Sequence, residues 1–176
     1  MKELSYFWVK VNYRLHGRDK EIISNYFRKM GMRIGKRCNI VTNITTSEPY
    51  LISLGDNVTL SAGVKFITHD NCVSKIVPET TDLFGRITIG NNCFIGNGAM
   101  ILYGVSIADN IVVAAGSVVT KSIEKSNIIV AGNPAREIGT WDRFSERYRG
   151  FAFNLDEIPA EILQQTIEKS GKLVRK

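Results

Sequence analysis

Six aliphatic residues stand at an unbroken spacing of six: Ile89, Ile95, Ile101, Ile107, Val113 and Val119. A helix returns a side chain to the same face about every 3.6 residues and a strand every 2, so neither produces this period. A strict six requires a chain that coils until every sixth residue meets an equivalent environment. The position two before each aliphatic is apolar or small as well: Ile87, Cys93, Ala99, Val105, Ile111 and Ser117. Gly and Asn fall between them, as in Gly90-Asn91-Asn92 and Gly96-Asn97-Gly98, where turns are needed. Earlier in the chain the same phase runs through Leu54, Leu60 and Phe66, preceded by Ile52, Val58 and Val64, and through Ile34 and Ile40, preceded by Met32 and Cys38. The pattern predicts a triangular solenoid: each unit supplies one short strand and one corner, three units of six make a coil of 18 residues, and the aliphatics stack inward.

The phase is disturbed twice. It slips by two between Ile40 and Leu54. It then runs to Phe66 and resumes at Ile87 and Ile89; the 23 residues from Phe66 to Ile89 are not a multiple of six, so a loop leaves the coil over about residues 70–86. Long excursions from a regular repeat are often functional, and this one begins directly after His69. It carries Asp70, Asn71, Cys72, Lys75, Glu79, Asp82 and Arg86.

The ends lack the repeat. Leu4, Phe7, Trp8 and Val11 follow helical spacing, Gly17-Arg18 breaks the run, and Ile22, Ile23, Tyr26 and Phe27 continue on a second helical face closed at Gly31. Two readings stand for this segment. Its mix of aromatics with Lys and Arg suits a membrane surface, and an apolar helical segment also suits the cap that an open first coil requires; the cap is the preferred one. Residues 141–149 and 157–170 have helix-like composition, with Pro159 placed just inside a start. The chain therefore divides into an N-terminal helical cap (1–31), the solenoid (32–138) and a C-terminal helical extension (139–176), the last covering the final coil or packing on a neighbour.

Four stretches carry a resemblance to a known family: Ile52-Ser-Leu-Gly-Asp-Asn-Val-Thr-Leu60, Phe66-Ile-Thr-His-Asp-Asn71, Ile87-Thr-Ile-Gly-Asn-Asn-Cys-Phe-Ile-Gly96, and Val112-Val-Ala-Ala-Gly-Ser-Val-Val-Thr-Lys121 with Val130-Ala-Gly-Asn-Pro-Ala-Arg136. Together they resemble the hexapeptide-repeat acyltransferases, most of all the galactoside and maltose O-acetyltransferase branch and the sugar acetyltransferases of polysaccharide assembly. The resemblance implies a mainly β fold, a left-handed parallel β-helix; the hand comes from the resemblance alone and departs from the usual right-handed crossover. It also implies acetyl-CoA as donor and a homotrimer with active sites between subunits.

Acyl transfer from a thioester needs a base to accept the acceptor's proton as its oxygen attacks, and a neutral imidazole serves near pH 7. The chain has two histidines, His16 and His69. His16 lies in the N-terminal helical segment. His69 sits at the loop exit, and the family's catalytic histidine matches its position, so His69 is the candidate base. Asp70 orients the ring or is a surface loop residue. Asn43 and Glu48 are candidate acceptor ligands, Asn43 by its match to a substrate-binding asparagine of the galactoside and maltose enzymes; Asp82 and Glu79 follow on the loop. By resemblance Asn97, Ala115, Thr120, Lys121 and Arg136 match acetyl-CoA contacts, with Asn97 standing where the galactoside enzyme has a serine. Lys121 and Arg136 suit the CoA phosphates, and Phe94 matches an aromatic near the reacting end. The expected chemistry is direct transfer without an acyl-enzyme; no Gly-x-Ser-x-Gly nucleophile elbow occurs.

Composition narrows the alternatives. At 176 residues and 44% hydrophobic content the chain suits one domain with a core. A net charge of +6 allows phosphate-rich partners, but the basic residues are spread out without a nucleic-acid motif, so no nucleic-acid partner is expected. No apolar run reaches a membrane span, and the start lacks the core of a signal peptide; the expected compartment is the cytoplasm. Cys38 and Cys93 occupy inward positions and read as buried apolar residues, while Cys72 lies in the loop. Two histidines are too few for the three-histidine metal site of the γ-type carbonic anhydrases, so no metal is expected. N-acetyl transfer to an amino sugar, an acyl-carrier-protein donor and a silent scaffold remain the alternatives.

Overall fold

Of the positions in the six-residue pattern from Met32 to Val119, all but Ile34 are buried in the core. The structure, a computed structural model, describes residues 2–174. It is mainly β with helices toward its two ends. The chain forms two units, residues 1–138 and 139–176.

Helices α1 (Lys2–Leu15) and α2 (Lys20–Lys29) open the first unit. They are followed by β1 (Arg33–Ile34), β2 (Asn39–Ile40), β3 (Ile52–Leu54), β4 (Thr59–Leu60), β5 (Lys65–Phe66), β6 (His69–Asp70), β7 (Leu83–Phe84), β8 (Ile87–Ile89), β9 (Phe94–Ile95), β10 (Met100–Ile101), β11 (Ser106–Ile107), β12 (Ile111–Val113), β13 (Val118–Val119), β14 (Ile128–Gly132) and β15 (Ala135–Thr140). Three sheets run in the orders β1-β3-β8-β11, β13-β10-β5 and β15-β14-β12-β9-β4-β2. From β8 to β13 the chain visits the three in strict rotation. Parallel partners there stand 18 residues apart: Thr88 with Ser106, Phe94 with Val112, Met100 with Val118. Before β8 the register records both disturbances. Arg33 pairs with Ser53 and Asn39 with Thr59, 20 residues apart, and Ile52 pairs with Ile87 and Lys65 with Met100, 35 apart.

The corners explain the Gly and Asn positions. Arg37, Asn57, Asn92, Asn110 and Asn127 all take φ between 55° and 60°, a left-handed conformation that Asn tolerates better than most residues. Their side chains also form a ladder, Asn57 Nδ2 donating to Asn92 Oδ1 at 2.7 Å and Asn92 Nδ2 to Asn110 Oδ1 at 2.8 Å. Gly96 is required for a different reason: a Cβ there would lie 2.5 Å from the backbone nitrogen of Ala115, so successive backbones touch at this corner.

Residues Asp19 and Arg28 fix α2. Asp19 accepts from Glu21 N as its N-cap, and Arg28 donates to the carbonyls of Ile34 and Gly35, at 2.9 and 2.6 Å, tying the helix to β1. The face of α1 that packs is not the expected Phe7–Trp8–Val11 stripe. Tyr6 is buried against Tyr26 and Phe27, each at 5.7 Å between ring centroids, and donates to the Thr42 carbonyl at 3.0 Å; Val9 and Tyr13 pack beside it. Phe7 and Trp8 are 58% and 63% exposed. A tyrosine can bury its ring and still satisfy its hydroxyl at a carbonyl, which a count of purely apolar residues overlooks.

The excursion after His69 is more ordered than a loop. β6 pairs antiparallel with β7, His69 opposite Phe84, and residues Cys72–Lys75 form a 3-10 turn. In the second unit α3 (Trp141–Tyr148) is capped by Thr140, and α4 covers only Leu163–Lys169. The helix expected over 157–170 is interrupted. Pro159 has ψ 141°, outside the helical region, and precedes a 3-10 turn at Ala160–Ile162. No helix among the described residues is long and apolar enough to cross a membrane.

Candidate active site

Both departures from the repeat converge on His69. The residues of the two-residue slip include Thr46 and Glu48, the latter just before a 3-10 turn at Pro49–Leu51. The excursion begins at β6, which carries His69 itself. Glu48 Oε2 accepts from His69 Nδ1 at 2.8 Å and from the Thr68 hydroxyl at 2.7 Å. Thr46 and Thr68 hydroxyls lie 2.8 Å apart, and Glu48 N donates to Thr46 Oγ1 at 3.1 Å. An ionised carboxylate only accepts, and a hydroxyl has one hydrogen to give. Thr68 gives its hydrogen to Glu48, so Thr46 donates to Thr68. The result is a closed ring of bonds around Glu48, which is 9% exposed. Such a network is strong when every member is satisfied.

The ring sets the protonation of both partners. Burial pushes the Glu48 pKa up, but the bonds from Thr68 and His69 outweigh it and hold the carboxyl below its ordinary 4.5. The bond to Glu48 raises the His69 pKa above 6.5; partial burial opposes this, and the charges of Glu48, Asp82 and Asp70 add to the rise. Because Glu48 is ionised, the neutral imidazole carries its hydrogen on Nδ1 and its lone pair on Nε2. Phe84 lies against the ring, 5.7 Å between centroids.

The structure places the Oε2 of Glu48, a candidate acceptor ligand, on His69 and Thr68. Asp70 does not hold the imidazole. Its Oδ1 accepts from Cys72 N at 2.8 Å, closing a turn, because the adjacent side chain on a strand points to the other face. Cys72 is exposed, and the hydrogen bond with Asp70 pushes its thiol pKa up, against thiolate reactivity. Cys38 and Cys93 are buried. His16 is exposed, its Nδ1 3.0 Å from the Asn12 carbonyl.

A cavity of about 390 Å³ lies beside the ring, lined by Tyr26 of α2 and Met30 just after it, by residues 43–47 including Asn43, and by Phe66, Ile67, Thr68 and His69. Its lining combines apolar side chains with the hydroxyls of Thr45, Thr46, Ser47 and Thr68 and the imidazole of His69. Asn43 and His69 thus share one cavity. Asp82 lies outside its lining, near enough for its charge to act on His69. Glu79 is exposed.

Asn97, Ala115, Thr120, Lys121 and Arg136 are all exposed. The Asn97 carbonyl accepts from Gly116 N at 2.8 Å, and Ala115 backs on Gly96. Phe66, Ile101 and Val119 are in register across β5, β10 and β13. Thr120 and Lys121 therefore leave the same end of this sheet as Ile67 and Thr68, two strands or about 10 Å away. Arg136 is on β15, its Nη1 donating to the Ala135 carbonyl at 2.8 Å. Phe94 is 43% exposed on β9. No group of three or more His, Cys, Asp or Glu side chains is placed to hold a metal ion among the described residues.

The sequence reading missed Thr46, Thr68 and Phe84. The signal for Thr46 lay in the phase slip itself, since residues that break a repeat without breaking the fold are free of its packing duty. Phe84 carried no sequence signal, because its place depends on the antiparallel pairing inside the excursion.

A family model described as "Hexapeptide repeat of succinyl-transferase" matches residues 31–67 and 86–121. Protein CapG of Staphylococcus aureus is 43% identical over 134 residues, covering 73% of this chain and 77% of that one. Galactoside O-acetyltransferase of Escherichia coli (strain K12) is 36% identical over 108 residues, 61% of this chain, which spans 53% of that enzyme's length. Among solved structures, galactoside acetyltransferase in complex with coenzyme A superposes with a TM-score of 0.57 at 26% identity, over 72% of this chain and 73% of that one. With the repeat buried, the sheets in register and these matches in hand, the chain belongs to the hexapeptide-repeat acyltransferase family.

Proposed function

We propose that the protein is an acetyl-CoA-dependent O-acetyltransferase acting on a hydroxyl of a saccharide. The observation that carries the reading is the Glu48–His69 pair beside the Asn43 cavity. His69 is the general base: with Nδ1–H held by Glu48, Nε2 accepts the proton of the acceptor hydroxyl as the oxygen attacks. Glu48 keeps the ring in one tautomer and stabilises the imidazolium that forms. Asn43 holds the acceptor. The oxygen adds to the thioester carbonyl carbon; the tetrahedral intermediate then collapses with cleavage of the carbon–sulfur bond, and the coenzyme A thiolate leaves and takes the proton held on His69. Asn97, Ala115 and Thr120 bind the donor's arm, and Lys121 and Arg136 take its phosphates.

The rotation of strands among three sheets and the 18-residue register support a parallel β-helix over residues 32–138, and the family resemblance supports its left hand. Residues 1–31 form its N-terminal cap and 139–176 a C-terminal extension. We assign a homotrimer, with His69 facing a neighbour's donor groove. Ile76, Val77, Leu83 and Phe84 of the excursion are all more than 40% exposed, which suits burial by another copy. A saccharide acceptor is supported by the galactoside enzyme among the relatives; a place in polysaccharide assembly and a cytoplasmic setting complete the reading.

The test is thiol release from acetyl-CoA in the presence of a panel of sugars and nucleotide sugars, with the product identified by mass. The account expects release that depends on a hydroxyl-bearing saccharide and gives an acetyl ester. Release only with amino sugars, giving an amide, would contradict O-transfer; no release with any acceptor would contradict the acetyl-CoA reading.

A further inference from the structure

Helix α1 has two apolar faces, and only one is used within the protein. Tyr6, Val9 and Tyr13 pack inward. Phe7, Trp8, Val11 and Leu15 line the opposite side, at the one-, four- and eight-residue separations that share a helical face. Phe7, Trp8 and Leu15 are 58%, 63% and 77% exposed, with Phe7 and Trp8 edge to face at 5.7 Å. A contiguous stripe of this kind on an exposed helix calls for an occupant.

The charges around the stripe say which. Arg14, at the last turn of the helix, and Arg18 just beyond it are exposed, and neither is in an ion pair among the described residues. Their charge would repel the same patch on a second copy, and the chain as a whole carries +6. An aromatic stripe flanked by unpaired cations instead matches an anionic lipid bilayer. Trp and Phe settle at the headgroup level, and each Lys or Arg near the surface adds about 1 kcal/mol of attraction. With 14 residues the helix is too short to span a bilayer, so it lies on the surface.

We infer that α1 docks the protein on anionic membrane through Phe7, Trp8 and Leu15, with Arg14 and Arg18 over the headgroups. This is independent of the acetyltransferase reading: the surface is distinct from the His69 cavity and needs no turnover to be measured. The helix still packs on the core through Tyr6, Val9 and Tyr13, so the cap and the membrane surface are two faces of one helix.

The test is co-sedimentation of the full chain with vesicles of phosphatidylcholine alone or with about one third phosphatidylglycerol, at low and high salt. The expected result is binding to the anionic vesicles that weakens with salt. Partitioning should fall about tenfold or more in Phe7→Ser/Trp8→Ser and in Arg14→Glu/Arg18→Glu. The Phe7→Ser/Trp8→Ser variant should keep the circular dichroism spectrum and urea midpoint of the wild type, showing that it folds. The inference is overturned if the wild type binds neither vesicle, if it binds both equally, or if the variants bind as well as the wild type. It is also overturned if Phe7→Ser/Trp8→Ser changes the mass measured by light scattering without lipid, since a second copy then covers the stripe.

Discussion

Glu48 Oε2 lies 2.8 Å from His69 Nδ1, and the two residues reach each other from the two places where the chain departs from its repeat. The bond fixes the tautomer, so its removal should act on the ring rather than on binding. Glu48→Gln is expected to lower kcat about a hundredfold, the cost of a misplaced catalytic group, with the acetyl-CoA KM nearly unchanged. Steady-state kinetics of both substrates check this.

The same pair dictates a pH dependence. A general base works only when neutral, so activity falls as pH drops through the His69 pKa. That pKa is raised above 6.5 mainly by the bond to Glu48, so the acid limb of kcat/KM should lie above 6.5 in the wild type. In Glu48→Gln both the anionic acceptor and its charge are gone, and the limb should move toward lower pH. A limb that stays in place would mean Glu48 does not set the proton affinity of the ring.

Gly96 and Gly98 should respond differently to alanine. At Gly96 a new Cβ would lie 2.5 Å from the Ala115 backbone, so Gly96→Ala forces neighbouring strands apart at the ridge assigned to the donor. A loss of about 1–3 kcal/mol is expected, together with a raised KM for acetyl-CoA. At Gly98 the space is open but φ is +67°, so Gly98→Ala carries only the left-handed penalty of about 1–2 kcal/mol. Urea denaturation measures the first quantity and kinetics the second.

The core should be sensitive at any repeat position. Ile95 is fully buried, between Leu60 and Val113 on its neighbouring strands. Ile95→Ala should cost about 2–5 kcal/mol, read from the urea midpoint.

Much of this was legible in the sequence because a repeat is a local signal: Ile89 and Ile107 announce their shared environment by spacing alone. His69 was legible as one of two histidines at the edge of a break. Glu48 was found but given another part, because its bond to His69 spans 21 positions and depends on how the slip residues fold back. The α1 stripe was misplaced because Tyr6 buries its ring while its hydroxyl donates to the Thr42 carbonyl, whereas Phe7 and Trp8 count as more apolar and stay outside. The helix at 157–170 failed at Pro159, whose extended ψ delays α4 to Leu163.

The central claim is that His69 removes the acceptor's proton. The most direct measurement compares wild type with His69→Ala for acetyl-CoA binding by calorimetry and for acetyl transfer to the best acceptor. The account predicts equal binding and a transfer rate about 10²–10⁴-fold lower in the variant. Transfer that survives intact in His69→Ala while binding is unchanged would contradict it.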